Sequence, residues 1–147
     1  MPLIVRKVGH VVLRVRDLET SLSFYCGVLG LLDVARRDFG EGPMAFLSTG
    51  HAHHDIALVE ARDPASAGGA LHHFALKIGD SLDDLAHAAT ELESAGVAIH
   101  MTLDHRVSQG IYVSDPDGNL IELYVDVFPE AWRADPSLVA NSDPLSL

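Results

Sequence analysis

The sequence has a single cysteine, Cys26, which rules out an internal disulfide and any zinc site built from several thiolates. Any metal held here is therefore held by nitrogen and oxygen. Basic residues are scarce too: 10 Lys and Arg stand against 21 Asp and Glu, a formal net charge of −11. Without a basic face, nucleic acid is not an expected partner. No run of about eighteen apolar residues occurs, so no membrane span is expected, and the opening MPLIVRKVGHVVL carries no long apolar stretch. A cytoplasmic location is the expectation that follows. What the chain does have is 48% hydrophobic residues in 147, enough for one compact domain with a substantial core, and nine histidines, several clustered at His51, His53, His54, His72 and His73.

Alternation predicts a strand over Val8 to Val15, after which Asp17 is placed to cap a helix over Leu18 to Val28 that stops at Gly30. Strands follow near Leu31 to Asp38, Met44 to Ser48 and Asp55 to Val59, separated by turns such as Gly40-Glu41-Gly42. Residues 61–70 are small and turn-forming and read as a connector. The pattern then begins again. A strand is predicted over Leu71 to Ile78, a capping box at Ser81-Leu-Asp-Asp84, a helix over Leu82 to Ala95 ending at Gly96, and strands near Val97 to Leu103, Gly110 to Val113 and Leu120 to Val125. The turn Asp115-Pro-Asp-Gly118 joins the last two.

A constant offset of 63 lays His10 on His73, Leu13 on Leu76, Arg14 on Lys77, Val15 on Ile78 and Asp17 on Asp80. The agreement marks an internal repeat. Both halves read as strand, helix and three strands, so the expected fold class is α+β. It comprises two tandem βαβββ modules, about 6–60 and 71–126, within one domain of residues 1–147. A lone module leaves one sheet face uncovered, so the two are expected to pack as a pseudo-twofold pair with a site between related strands. The tail, 127–147, holds Pro129, Pro136 and Pro144 and is expected to be extended or loosely packed.

Side chains two apart on a strand share a face. Val11, Leu13 and Val15 then form an apolar face with His10 and Arg14 opposite; Phe74, Leu76 and Ile78 do the same with His73 and Lys77 opposite. On the last strand Ile121, Leu123 and Val125 face the core and Glu122 points away. One histidine at a strand end is ordinarily a hydrogen-bonded structural residue. Its repetition at the same place in both halves, with a carboxylate of matching parity, selects His10, His73 and Glu122 as ligands of one divalent metal. Two imidazoles and a carboxylate suit iron(II), manganese, nickel or zinc, and open positions beside such a set fit non-haem iron chemistry. Metal and glutamate together carry about one positive charge, which favours an anionic chelating substrate. Neither repeat nor parity selects His51, His72, His87 or His100, and Cys26 reads as helix packing.

The segments Gly9-His10-Val-Val-Leu, Leu71-His72-His73-Phe-Ala-Leu and Asp115-Pro-Asp-Gly-Asn-Leu-Ile-Glu122 resemble the metal-ligand strands of the vicinal oxygen chelate superfamily, across residues 6–126. That superfamily includes glyoxalase I, fosfomycin-resistance proteins, bleomycin-binding proteins and type I extradiol dioxygenases. The resemblance implies paired βαβββ modules forming a cup around a metal that the substrate chelates through neighbouring oxygens. Within it, His53-His54-Asp55-Ile-Ala57-Leu and Asp104-His105-Arg-Val-Ser108 followed by Tyr112 are similar to extradiol ring-cleaving enzymes. This implies that His54 handles catechol and oxygen-derived protons and that His105 and Tyr112 hydrogen-bond the substrate, with histidine titrating in the useful range. Regular alternation would place His54 with Ile56 and Leu58 and leave His53 on the other face, so a bulge or strand start is needed there. Glyoxalase I resembles a four-ligand site with one carboxylate per half, whereas pseudo-symmetry puts Ala57 at the second carboxylate position.

The sequence thus predicts an Fe(II)-dependent extradiol dioxygenase, with Mn(II) or another divalent metal as the alternative. It is expected to act on a catecholic substrate and O2 as a homo-oligomer, a homodimer being favoured by exposed sheet edges. A fosfomycin-resistance-like thiol transferase and a non-enzymatic bleomycin-type ligand-binding protein are the competing functions.

Overall fold

A computed structural model describes residues 6–38 and 40–147. The chain forms two compact units, one ending at Gly69 and the other beginning at Ala70.

The first unit opens with β1 (Val11–Val15), in which Leu13 and Val15 are buried and Arg14 is exposed. Asp17 caps the helix that follows, accepting from the Thr20 amide at 2.7 Å. That helix changes character: α1 (Leu18–Leu22) is α-helical, but Ser23–Val28 is π-wound, with the Leu29 amide donating to Phe24 O five residues back at 3.0 Å. The widened turn leaves Tyr25 fully buried. Gly30, at φ +75°, then ends the helix in the left-handed conformation that a side chain would disfavour. Strands β2 (Leu32–Asp38), β3 (Pro43–Ser48) and β4 (Ile56–Glu60) complete a four-stranded sheet of order β1-β4-β3-β2, with β1 parallel to β4.

The second unit repeats this plan with β5 (Phe74–Gly79), α2 (Leu82–Ser94), β6 (Met101–Asp104), β7 (Ser108–Ser114) and β8 (Leu120–Asp126). The capping box forms: the Asp84 amide donates to Ser81 Oγ at 3.2 Å, and Asp84 Oδ2 accepts from the Ser81 amide at 3.0 Å. Leu85 and Leu92 of α2 are buried with Ile111, Val113, Ile121, Leu123 and Val125, as α2 packs on β5, β7 and β8. Each such side chain contributes about 1.5–3 kcal/mol by leaving water.

Three boundaries move inward, and the tail differs. β1 starts at Val11, not Val8, because its parallel partner β4 starts at Ile56, the residue paired with Val11. β5 likewise starts at Phe74, opposite Ile121, so His10 and His73 each stand immediately before a strand. Residues 97–100 are irregular, and β6 begins only at Met101. The tail, expected to be extended or loosely packed, instead forms short 3-10 turns at Ala131–Arg133 and Pro136–Ala140 and a final strand, β9 (Asp143–Pro144). β9 pairs with β6 and makes the second sheet five-stranded, in the order β5-β8-β7-β6-β9. A free edge on β6 offers unpaired amides and carbonyls, and the tail satisfies them.

Candidate metal centre

Glu122 lies mid-way along β8 with its neighbours Ile121 and Leu123 in the core, yet the residue itself is only 8% exposed. Its register partners on that face are Ala75 of β5 and Tyr112 of β7. Space for the carboxylate comes from Gly110: a Cβ added there would lie 2.7 Å from Glu122 Oε1 and 3.0 Å from Cγ. A glycine inside a strand marks such a close approach. Around the carboxylate, His73 Nε2 is 3.7 Å from Oε2 and His105 Nε2 is 3.6 Å from Oε1. His73 turns its other nitrogen to His72, with Nδ1 atoms 2.7 Å apart, which leaves Nε2 aimed at Glu122.

His105 is held at both ring nitrogens. Nδ1 is 2.6 Å from the Asn141 carbonyl oxygen and Nε2 is 2.9 Å from the Tyr112 hydroxyl. Burial, then the nearby negative charge of Glu122 and a hydrogen bond to it, push the Tyr112 phenol up to about 12. Tyr112 is therefore a proton donor, not an anion, at neutral pH.

In the first unit the histidines gather ahead of β1 and β4. The His10 ring is 4.3 Å from the His54 ring, which lies edge-on to Phe46 at 5.3 Å, and the Nδ1 atoms of His53 and His54 are 2.6 Å apart. Loss of hydration, then the proximity of His10 and His53, lowers the His54 pKa against an opposing pull from Asp55. His54 belongs to the loop before Ile56, so strand parity does not govern it and its conflict with the parity of Ile56 disappears. His51, His87 and His100 stand apart; His100 bonds Ser114 Oγ through Nε2 at 2.8 Å.

The second unit thus joins His73, Glu122, His105 and Tyr112, and the first joins His10 and His54. Among the described residues, no group of three or more His, Cys, Asp or Glu side chains is gathered in a form that could hold a metal. The donor chemistry nevertheless fits a divalent ion. Glu122 is a buried carboxylate with no Lys or Arg on it among the described residues, and imidazoles face both of its oxygens. A buried charge needs a compensating partner, and a cation between imidazole and carboxylate supplies one. Gly110 and Asn141 were not selected from sequence. For Gly110 the signal was present, a glycine in a strand of β-branched and aromatic neighbours; for Asn141 there was none, because the contact is made by a backbone carbonyl 36 residues away.

The family model for the Glyoxalase/Bleomycin resistance protein/Dioxygenase superfamily matches residues 7–123. The chain belongs to this superfamily. Among its relatives, biphenyl-2,3-diol 1,2-dioxygenase 2 of Rhodococcus globerulus is 35% identical over 83% of this chain and 64% of the relative. Catechol-2,3-dioxygenase of Bacillus subtilis is 34% identical over 87% of this chain and 44% of the relative. The chain therefore spans only 38% to 64% of the length of the dioxygenases it matches. A probable lactoylglutathione lyase of Synechocystis is 29% identical over 78% of this chain and 91% of the relative. The fold recurs in solved structures. The superfamily domain from Frankia has a TM-score of 0.70 at 23% identity, covering 84% of this chain and all of the other. A fosfomycin resistance protein from Mesorhizobium loti has a TM-score of 0.65 at 22% identity, covering 88% and 99%. Relatives that are 32–35% identical to the chain are thus named as biphenyl-2,3-diol and catechol dioxygenases.

Proposed function

We propose that the protein is an iron(II)-dependent extradiol dioxygenase that opens a catechol-type ring beside its two hydroxyls, with His10, His73 and Glu122 as the metal ligands. The observation that carries the reading is the buried Glu122 carboxylate, without a Lys or Arg on it among the described residues, with His73, His105 and Tyr112 disposed around it. The names of the relatives, biphenyl-2,3-diol and catechol dioxygenases, supply the substrate class. When bound, the metal supplies Lewis acidity toward a vicinal diol and, as iron(II), redox capacity toward dioxygen.

The chain's own residues manage protons. His54 is a neutral base suited to accept a proton from a catechol hydroxyl, as its lowered pKa favours the uncharged ring. Tyr112 keeps its proton, held at rest toward His105 Nε2, and turns it to the developing negative oxygen when substrate is bound. His105, anchored through Nδ1, offers Nε2 beside that hydroxyl and steers it. The lyase reading is weaker: β1 pairs Val12 with Ala57 where β5 pairs Ala75 with Glu122, so the position of a second carboxylate holds an alanine that is 1% exposed.

The test is oxygen uptake by protein loaded anaerobically with iron(II) or manganese(II) and given catechol, 2,3-dihydroxybiphenyl or bulkier catechols, while absorbance reports a ring-opened product. Uptake coupled to a coloured product, and lost in His73→Ala, is the expected result. No uptake at confirmed metal occupancy would overturn the proposal in favour of thiol transfer or ligand sequestration.

A further inference from the structure

The tail after the last 3-10 turn starts on a residue of the site, His105, and lies along the outer edge of the second sheet. Its anchors are numerous. Thr102 Oγ donates to Leu145 O at 2.5 Å and the Leu145 amide returns a bond to Thr102 O at 3.0 Å, while β9 pairs Pro144 with Leu103 and Asp143 with Asp104. Asn141 Nδ2 donates to Asp104 O at 3.2 Å and to Asp143 Oδ2 at 3.1 Å, and the same Asp143 oxygen takes the Arg106 guanidinium at 2.7 Å. Arg106 is left-handed at φ +67°, the one described non-glycine residue that is, and the Asp104 carboxylate holds it by accepting its amide at 2.7 Å. Residues 104–106 are thus clamped from two sides, with His105 in the middle.

A carbonyl oxygen can only accept, so the 2.6 Å contact between His105 Nδ1 and Asn141 O requires the proton on Nδ1. In the neutral ring Nε2 then has a lone pair, and it is Nε2 that meets the Tyr112 hydroxyl at 2.9 Å. We propose that residues 141–145 are a positioning strap of the site: the Asn141 carbonyl fixes His105 as its Nδ1–H tautomer, so that Nε2 accepts from Tyr112 and orients its hydroxyl. A free histidine in water favours the opposite, Nε2–H, tautomer. The strap therefore selects a form that the ring does not prefer by itself. Asn141 is a positioning residue, acting through His105.

The tautomer is read directly from long-range nitrogen–proton correlations of the imidazole rings in the nitrogen-15-labelled full chain, with His105→Gln assigning the signals. The expected result is Nδ1–H at His105 in the full chain and predominantly Nε2–H in a chain ending at Ala140. Asn141→Ala keeps the carbonyl but loses both Nδ2 anchors; it is expected to give a mixture with an unchanged circular dichroism spectrum, which guards against a shortened chain that fails to fold. An Nε2–H ring in the full chain, or an Nδ1–H ring that survives removal of the strap, would overturn the proposal.

The role in turnover rests on the dioxygenase reading, and there Asn141→Ala is expected to lower kcat about tenfold with KM within about twofold. An unchanged kcat beside a changed tautomer would overturn the positioning role. Absence of turnover in the unmodified protein would instead sink the dioxygenase reading and leave the tautomer result standing.

Discussion

Strand β4 of the first unit and strand β8 of the second occupy the same place in two sheets of the same order, and their central residues could hardly differ more. Val12 and Ala75, 63 residues apart, pair with Ala57 and Glu122 respectively; on the other side Phe46 pairs with Ala57 where Tyr112 pairs with Glu122. Two residues back along the third strand, Met44 stands where the second unit has Gly110. The first unit puts apolar side chains at all of these positions. The other buries a carboxylate, and its neighbours follow from that choice: a glycine to admit it, a phenol beside it, imidazoles at its oxygens. Register fixes where a side chain goes and leaves its chemistry open.

The sharpest way to break this contrast is to give the second unit the residue of the first. Glu122→Ala is expected to abolish stoichiometric metal binding, weakening it by more than the roughly 100-fold seen when outer-sphere partners are lost, with the circular dichroism spectrum unchanged. Anaerobic iron(II) titration measures it, and unaltered affinity would remove Glu122 from the ligand set. Tyr112→Phe makes the next position match Phe46. It is expected to retain the metal and to lower turnover of a catechol about 100-fold, because a positioned proton donor has been deleted. A loss of metal binding instead would mean that the hydroxyl serves Glu122 and not the reaction.

Much of this contrast was legible before any coordinates. Alternation placed Glu122 opposite Ile121 and Leu123, the offset of 63 paired His10 with His73, and the observed registers return the same pairing of Ala57 with Glu122. These features depend on strand period, which is local and regular. The π-wound turn at Ser23–Val28 was not legible, since it substitutes a five-residue hydrogen bond within a segment whose apolar spacing still reads as α-helix. Nor was the strap: two strand residues among prolines carry no period, and the link from Asn141 to His105 is made by a carbonyl that every residue possesses. His54 was legible only as a likeness, because a loop residue escapes the parity rule that located the others.

Gly110→Ala tests the contrast more gently. The added methyl would stand 2.7 Å from Glu122 Oε1 and 3.0 Å from its Cγ, in a buried place where the Glu122 side chain must shift to relieve the clash. Metal affinity is expected to fall about tenfold, the lower end of an outer-sphere effect, whereas Met44→Ala in the first unit should leave it unchanged. Equal responses in the two variants would show that the glycine is not there to admit the ligand.

The smallest effect expected is in the first unit, at the turn before β4. Asp55 Oδ2 accepts from the Thr49 amide at 2.8 Å and its hydroxyl at 2.9 Å, and these bonds, led by the amide, hold the carboxyl below its usual value of 3.8. A carboxyl with a depressed folded-state pKa adds stability that is complete above the unfolded value and is lost as the pH falls through the folded one. Asp55→Asn should therefore lower Tm by about 2 °C at neutral pH, a modest change because the group is partly screened by solvent. The gap from the unmodified protein should then close as the pH drops below about 4. A gap that stays constant down to pH 3 would assign the effect to packing of the turn and not to the charge that Thr49 stabilises.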